Sequence, residues 1–299
     1  MTNIKVFIDD DVNEEKLAPL RDAGFTVERR IKLSTEELAE AMMDFDGLIV
    51  RSETKVSSDL MDRLPSLRVI GRAGVGVDNI DVKAATARGI VVMNAPDGNP
   101  ITTAEHTVAL LVSIARNVPQ AHALLQTDVW DKKKFIGVEL NGKTLGIIGL
   151  GRIGGHVAKI AKGFGMNIFA YDPFVSVEQA KDLGFEVRSL SDVFANADFL
   201  TIHTPVTNET RNIIGKDAFR QMKKGVRLIN CARGGLIDEN ALLEAIENGT
   251  VAAAALDVFF NEPLPNDSPL LNNPKIITTP HLGASTTEAQ EGVAFTVAG

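Results

Sequence analysis

The sequence predicts an α/β protein with two doubly wound parallel sheets, the second domain being inserted into the first. Short apolar segments suited to buried parallel strands alternate with helical segments along the chain. A glycine-rich pattern, Gly-x-Gly-x-x-Gly, begins only near the middle of the 299 residues. A stretch dense in Pro, Gly, Asn and Asp, "NAPDGNPIT", precedes it and is typical of a domain boundary.

Composition narrows the class of function. The hydrophobic fraction is 44% and the charged fraction is 23%, which is ordinary for two globular domains. A net charge of −8 disfavours nucleic acid or an anionic membrane as the main partner. Apolar runs such as Val108 to Val112 are too short to span a bilayer, and the acidic start is no signal peptide. With Cys231 as the only cysteine, we expect a soluble, cytoplasmic protein.

The first domain is expected to be flavodoxin-like and to comprise residues 1–97 and 286–299. Its predicted strands are Ile4 to Ile8, Gly47 to Val50 and Leu67 to Ile70, and its predicted helices lie near Glu14 to Ala23 and Ser57 to Leu64. The final residues begin an amphipathic helix that stops without a cap, which favours a piece of a longer protein over a natural terminus.

The second domain is expected to span residues 98–285. It should begin with a long apolar helix running through Ile114, because Thr102 and Glu105 form a capping box. The segment "TLGIIGLGRIGGHVAKI" then places Gly149, Gly151 and Gly154 between a buried strand and a helix. In a nucleotide-binding turn, the first glycine permits the tight turn, the second lets the backbone approach a pyrophosphate, and the third lets the helix pack closely against the strand.

Asp172 supports the nucleotide-binding interpretation over a glycine-rich structural turn. It ends the strand Asn167 to Tyr171, about 20 residues after Gly151, where a carboxylate accepts hydrogen bonds from ribose hydroxyls. An acid there also repels the additional phosphate of NADP, so NAD is the expected cofactor. Further predicted strands complete a Rossmann sheet: Phe199 to His203, Val226 to Asn230, Ala252 to Leu256 and Ile276 to Thr279, with a helix over Glu239 to Glu247. Because the chain passes between the two domains twice, we expect a hinge there and a cleft between the domains.

Three successive strands of this sheet end near residues that could carry chemistry. Arg233 follows the strand in "NCARGGLID", Glu262 follows the next in "LDVFFNEP", and His281 follows the last in "TTPHLGAS". Hydride transfer from a hydroxy acid needs a cation for the carboxylate, a proton acceptor and an acid that orients it. Structural alternatives remain open. Arg233 could form an ion pair with Asp238, Glu262 could be a solvated turn residue, and His281 could be a hydrogen-bonded histidine in a turn.

The remaining histidines and the cysteine are interpreted more simply. His106, His122 and His156 lie on predicted helices and are expected to be structural, whereas His203, at a strand end, could line the cofactor groove. Cys231 is expected to be a small buried residue, and no metal site is predicted.

The chain resembles the D-isomer-specific 2-hydroxyacid dehydrogenases over essentially its whole length. The segments that carry the resemblance are "LIVRSETKV", "VIGRAGVGVDNID", "KKFIGVELNGKTLGIIGLGRIG", "NCARGGLIDE", "ALDVFFNEP" and "PHLGAST". The resemblance implies that Arg233, Glu262 and His281 are the catalytic trio. The predicted cofactor contacts are Gly149, Gly151, Arg152, Ile153, Gly154, Asp172, His203, Thr204, Pro205, Cys231, Ala232, Asp257 and Gly283. The predicted substrate contacts are Arg51, Arg72, Gly74 and Val75, and Val75 stands where a hydroxylated residue is frequent in the family.

The expected substrate is a small phosphorylated hydroxy acid. Arg51 and Arg72 lie just past predicted strand ends, and guanidinium groups bind phosphate oxygens in a bidentate way. The alternative is that they form surface ion pairs with Glu53 and Asp78. Other possibilities are a glyoxylate or hydroxypyruvate reductase, and a binding module that senses NAD as the family's transcriptional corepressors do. The apolar helix from Thr103 and the Trp130 segment resemble the family's dimer-forming elements, so a homodimer is expected.

Overall fold

The computed structural model describes residues 4–10, 17–95, 100–176, 178 and 185–298. The chain divides into two compact units, Met1–Asn99 with Ala284–Gly299, and Pro100–Gly283. The predicted start of the first helix, at Glu14, and residues 96–99 of the predicted boundary lie outside the described residues.

The first unit contains a five-stranded parallel sheet with the order β2-β1-β3-β4-β5. This order is one of the two common doubly wound arrangements, the one found in flavodoxin. Its strands are β1 Lys5–Ile8, β2 Thr26–Arg29, β3 Gly47–Val50, β4 Val69–Arg72 and β5 Val91–Asn94. Its helices are α1 Ala18–Asp22, α2 Thr35–Ala41, α3 Ser58–Asp62, α4 Val82–Ala87 and the last helix, Thr287–Ala298. Two hydrophobic clusters form the core of this unit, and Val293 of the last helix belongs to one of them.

The second unit contains a seven-stranded parallel sheet. Its strands are β6 Thr144–Ile148, β7 Asn167–Tyr171, β8 Glu186–Val187, β9 Phe199–Ile202, β10 Val226–Asn230, β11 Val251–Leu256 and β12 Ile276–Thr278. The sheet order is β12-β11-β10-β9-β6-β7-β8. The direction of winding therefore reverses between β6 and β9, and ligands of open α/β sheets bind at such a point, at the carboxyl ends of the strands.

Helices cover both faces of this sheet, and each face has its own apolar core. The helices are α5 Pro100–Arg116, α6 Val118–Leu125, α7 Arg152–Gly163, α8 Leu190–Asn196, α9 Lys216–Gln221 and α10 Glu239–Glu247. In chain order the helix Thr287–Ala298 is α11. Within the described part of the chain, no single helix has the length and apolar character needed to cross a membrane. Helices α5 and α6 taken together meet both criteria, but they are bent by 63° relative to each other.

The α/β class with two parallel sheets is confirmed, but some element predictions were wrong. Helix α5 begins at Pro100, so Thr102 is a buried residue inside the helix and not its cap. Proline is well suited to the first turn because its fixed φ matches the helix and its missing N–H is not needed there. Strand β4 extends to Arg72, which pairs with Val50 of β3, two residues beyond the predicted end. Strands β2 and β5 were not predicted; they form the two edges of the first sheet, and both are partly exposed.

Candidate active site and cofactor site

The loops after three adjacent strands bring the predicted catalytic residues to one edge of the second sheet. Strands β10, β11 and β12 lie side by side and parallel, so their carboxyl ends meet at the same edge. Arg233, Glu262 and His281 follow these three strand ends in turn. The edge thus carries a cation, a carboxylate and an imidazole within one compact unit.

Glu262 and His281 are in direct contact. Glu262 Oε2 lies 2.7 Å from His281 Nδ1, and Glu262 Oε1 accepts a hydrogen bond from the Phe259 amide at 3.0 Å. Burial acts to raise the pKa of Glu262, but the hydrogen bonds from His281 and Phe259 and the charges of His281 and Arg233 outweigh it, so the pKa lies below its ordinary value. An ionised Glu262 therefore faces Nδ1 and leaves Nε2 of the ring for another partner, and 46% of the His281 side chain is exposed.

The Arg233 loop packs directly against the Glu262 loop. A Cβ at Gly234 would come within 1.8 Å of the Phe259 carbonyl oxygen, so only glycine allows the two backbones to approach this closely. Asn230, which is 2% exposed, spans the loop base by donating to the Arg233 carbonyl at 2.9 Å and accepting from the Ala232 amide at 3.0 Å. Asn230 was not among the predicted site residues, although a polar residue that ends a buried strand is a signal that could have identified it.

Asp257 organises the loop that carries His281. Its side chain is fully buried, and its carboxylate accepts the amides of Leu282 and Gly283, both at 2.8 Å. Cys231 and Ala232 are also buried, at 5% and 8% exposure. That Asp257, Cys231, Ala232 and Gly283 contact the cofactor remains a prediction.

The glycines of the nucleotide-binding pattern occupy positions with three different steric demands. Gly149 has a φ of +93°, in the left-handed region, and its amide donates to the Tyr171 carbonyl at 2.8 Å. A Cβ at Gly154 would lie 2.0 Å from the Gly149 carbonyl oxygen, so α7 packs tightly against the turn. A Cβ at Gly151 would meet nothing within 4 Å, and Gly151 is the N-cap residue of α7, which has no side-chain cap hydrogen bond. The open space before the helix N-terminus is suited to a pyrophosphate.

Three of the predicted cofactor residues, Arg152, Ile153 and Asp172, lie around this turn, and their contact with the cofactor remains a prediction. Asp172 follows β7, and its carboxylate accepts the Leu150 amide at 2.7 Å and the Phe174 amide at 2.9 Å, so it is fixed beside the turn. Arg152 is exposed at the start of α7, and Ile153 is half-buried against the core.

His203, Thr204 and Pro205 follow β9, on the other side of the point where the winding reverses. Burial lowers the pKa of His203 to about 3, so the ring is neutral at physiological pH. Within the described residues, His203 Nδ1 and Thr204 Oγ1 are buried and have no hydrogen-bond partner. Buried polar atoms of this kind normally find a partner, and here a bound ligand can provide it. Together with the space before α7, they fit NAD.

Asp172 provides a test of cofactor choice. We expect Asp172→Ala to weaken NAD binding roughly 10- to 100-fold, because hydrogen bonds to a charged group are lost. The variant should also show a smaller preference for NAD over NADP. Asp172→Asn is the matched control: it keeps an acceptor for the Leu150 amide but loses the charge, so it should mainly relax the discrimination against NADP. Steady-state kinetics with both cofactors measures this, and equal NAD and NADP kinetics in the unmutated protein would refute it.

The predicted substrate residues belong to the first unit. Arg72 ends β4, and Arg51 directly follows the neighbouring strand β3. The Arg51 backbone is held on both sides, because its amide donates to Asp10 Oδ2 and its carbonyl accepts from Asn79 Nδ2, each at 2.7 Å.

Gly74 and Val75 form the turn after β4. A Cβ at Gly74 would lie 1.8 Å from Arg72 Nη1, so the guanidinium group lies directly over the Gly74 backbone. Val75 is 42% exposed, and its carbonyl accepts from Asn94 Nδ2 at 2.6 Å. The predicted substrate residues thus cluster at the carboxyl edge of the first sheet.

Comparison with known proteins identifies the family. Residues 108–283 match the model of the D-isomer specific 2-hydroxyacid dehydrogenase NAD binding domain. Curated relatives include the D-3-phosphoglycerate dehydrogenases of Methanocaldococcus jannaschii, 52% identical over 99% of this chain and 56% of the relative, and of Bacillus subtilis, 50% identical over 98% and 55%. The chain thus spans about half the length of the curated relatives it matches. A Thermus thermophilus protein of known crystal structure superposes with a TM-score of 0.89 at 35% identity, covering 99% of this chain and 94% of the other. The chain belongs to the D-isomer specific 2-hydroxyacid dehydrogenase family.

Proposed function

We propose that this protein oxidises D-3-phosphoglycerate to 3-phosphohydroxypyruvate with NAD, a reaction that can supply serine biosynthesis. The observation that carries the proposal is the contact of 2.7 Å between Glu262 Oε2 and His281 Nδ1, beside the Arg233 loop. A carboxylate that fixes an imidazole next to a cation is the arrangement needed to remove a proton from a hydroxyl group while a carboxylate is held nearby.

His281 is the proposed proton acceptor. Because Nδ1 faces Glu262, Nε2 is the ring nitrogen that takes the proton from the C2 hydroxyl of the substrate. The ring becomes positively charged in this step, and the ionised Glu262 stabilises that charge. Structurally, the Phe259 amide keeps the carboxylate in place by donating to its other oxygen.

Arg233 is proposed to bind the substrate carboxylate. Its loop is fixed by Asn230, and the guanidinium geometry favours bidentate recognition of a carboxylate. When bound, NAD would supply the acceptor for the hydride that leaves C2. The C2–H electron pair and the hydroxyl proton thus go to different acceptors, and the product is the 2-keto acid.

The substrate assignment draws on Arg51 and Arg72 and on the relatives. Two arginines at adjacent strand ends are proposed to bind the phosphate group, and the relatives of about 50% identity are named D-3-phosphoglycerate dehydrogenase. Lactate and glycerate carry no phosphate for such cations to bind.

Steady-state kinetics on a small set of substrates tests the proposal. With NAD, we expect kcat/KM for 3-phosphoglycerate to exceed the values for D-glycerate and D-lactate by about 10²-fold or more, since each hydrogen bond to a charged group contributes roughly 1.5–3 kcal/mol. Equal efficiency with D-glycerate would overturn the substrate, and faster reduction of glyoxylate or hydroxypyruvate would favour a reductase. A complete lack of turnover would favour an NAD-sensing module.

We further propose that the protein is a cytoplasmic homodimer. The end of α6 and the segment after it expose large apolar side chains: Leu125, Val129, Trp130 and Ile136. Trp130 and Ile136 are each 82% exposed, and a cluster of this kind is typical of a contact surface. A monomeric mass by light scattering at micromolar concentration would contradict the dimer.

A further inference from the structure

We propose that His106 is a positioning residue for His281 and acts through Asp257. The inference rests on the proposed role of His281 as the proton acceptor. The helical position of His106 predicts a structural residue. Within the second unit that helix, α5, places the ring beside the loop that follows β11.

His106 donates a hydrogen bond to Asp257. The His106 Nε2 atom lies 3.2 Å from Asp257 Oδ1, and 20% of the His106 side chain is exposed. An ionised carboxylate has only acceptors, so Nε2 must carry the proton. The hydroxyl of Thr279 donates to the same oxygen at 2.6 Å. Burial acts to raise the pKa of Asp257, but the hydrogen bonds from His106, Thr279 and the Leu282 amide outweigh it and hold the pKa below its ordinary value.

Asp257 in turn fixes the backbone of the His281 loop. Its carbonyl accepts the His281 amide at 2.9 Å, and its carboxylate accepts the two following amides, of Leu282 and Gly283. His281 has a φ of +53°, a left-handed conformation that is unfavourable for a non-glycine residue. Such a conformation persists only where the surroundings hold it, and here Asp257 supplies three of the hydrogen bonds that do so.

His106 therefore has a function that packing alone does not explain. Asp257 is an ionised group that is fully buried, and it needs donors on each side to keep its charge. Without the His106 donor, the carboxylate is less well satisfied and is freer to shift. Any shift is passed directly to the His281 backbone, because the same residue anchors that loop.

Cys231 lies in the same network. The ligand atoms of His106, Cys231 and Asp257 are all within 4.8 Å of one another, a grouping that could also describe a metal site. Burial raises the pKa of the Cys231 thiol to about 12, so the thiol is protonated at neutral pH. Both carboxylate oxygens of Asp257 already accept amides of the His281 loop. The three side chains therefore favour a hydrogen-bonded network over a metal site.

The test compares His106→Leu, which removes the donor, with His106→Gln, whose amide nitrogen can replace Nε2. We expect His106→Leu to lower kcat about 10- to 100-fold with little change in the KM of the substrate, because a small misplacement of a catalytic group acts on the chemical step. The primary deuterium isotope effect on kcat, with substrate labelled at C2, should rise. His106→Gln should recover most of the rate, and His156→Leu on α7 is the control for loss of an imidazole elsewhere in the unit.

Hydrogen exchange of the amides in residues 281–283 provides a readout that needs no turnover. We expect exchange to be about tenfold faster in His106→Leu and in Thr279→Val, each of which removes a donor to Asp257, and unchanged in His106→Gln. Wild-type rate and exchange in His106→Leu would overturn the inference, and so would a Gln variant as slow as the Leu variant. If the unmutated protein fails to oxidise 3-phosphoglycerate, the proposed function fails, while the exchange data still decide whether His106 holds the loop.

Discussion

Replacing Glu262 with glutamine should lower kcat for oxidation by about 10²- to 10⁴-fold, the range typical of general acid–base catalysis. The side chain keeps its size, but the neutral amide no longer stabilises the charge that forms on His281 across the 2.7 Å contact. Because the charged imidazole is then less favoured, the pH–rate profile for oxidation should also move to lower pH. Initial rates between about pH 5 and about pH 10, with saturating NAD, measure both effects.

Glu239→Gln is the matched control for this variant. Glu239 Oε1 accepts the Phe260 amide at 2.8 Å, so it holds the same loop as Glu262 but is not bonded to His281. The control should keep its rate and its pH profile. An unmoved profile in Glu262→Gln, or equal losses in both variants, would count against the proposed pair.

The lowered pKa of Glu262 also predicts a dependence of stability on acid. A carboxyl group whose pKa is lower when folded than when unfolded binds fewer protons in the folded protein, so it stabilises the fold above its ordinary pKa of 4.5. This contribution is lost as the pH falls through the lowered value. In denaturant titrations, the difference in unfolding free energy between the unmutated protein and Glu262→Gln should therefore shrink as the pH falls below about pH 4.5.

Replacing both Arg51 and Arg72 with alanine should remove the preference for a phosphorylated substrate. We expect kcat/KM for 3-phosphoglycerate to fall roughly 10²- to 10⁴-fold, as the loss of two charge-assisted hydrogen bonds would. The value for D-glycerate should change little, because that substrate has no phosphate. Kinetics of both substrates on the double variant give the ratio directly.

Arg63→Ala combined with Arg68→Ala is the charge-matched control. Arg63 caps the C-terminus of α3 and Arg68 directly precedes β4, so both lie at the amino edge of the same sheet, whereas Arg51 and Arg72 lie at its carboxyl edge. The control should retain the preference for 3-phosphoglycerate. If the two double variants lose it equally, overall charge and not a phosphate site accounts for the preference.

The sequence by itself determined the central strands of both sheets and the position of the nucleotide-binding turn. Gly47–Val50, Asn167–Tyr171 and Val226–Asn230 have the predicted bounds. Strands buried on both faces are encoded as continuous apolar segments, and glycine can be read directly where the backbone needs a positive φ or a close approach. The order of β10, β11 and β12 along the chain was sufficient to predict that Arg233, Glu262 and His281 follow three successive strand ends.

Only the tertiary structure determined the edge strands and the true start of α5. Strand β2, with the sequence "TVER", and strand β5, with the sequence "VVMN", lie at the margins of the first sheet and are partly exposed. The extended form of β2 depends on pairing with a neighbour and not on its own pattern, whereas β5 contains an apolar run, Val91 to Met93, that was not interpreted as a strand. Thr102 has the sequence features of a cap, but the fold buries it within the helix that begins at Pro100.

The hydrogen bonds that hold the candidate catalytic residues in place also could not be predicted from the sequence. Asp257 meets His106 across a separation of many residues, and Asn230 closes the Arg233 loop through its side-chain amide. A pattern of residue types identifies which groups can donate or accept, but a hydrogen bond requires distances near about 3 Å between particular atoms. Those distances exist only after α5 and the strands of the sheet have packed together, so the residues that hold His281 in place emerged from the tertiary structure alone.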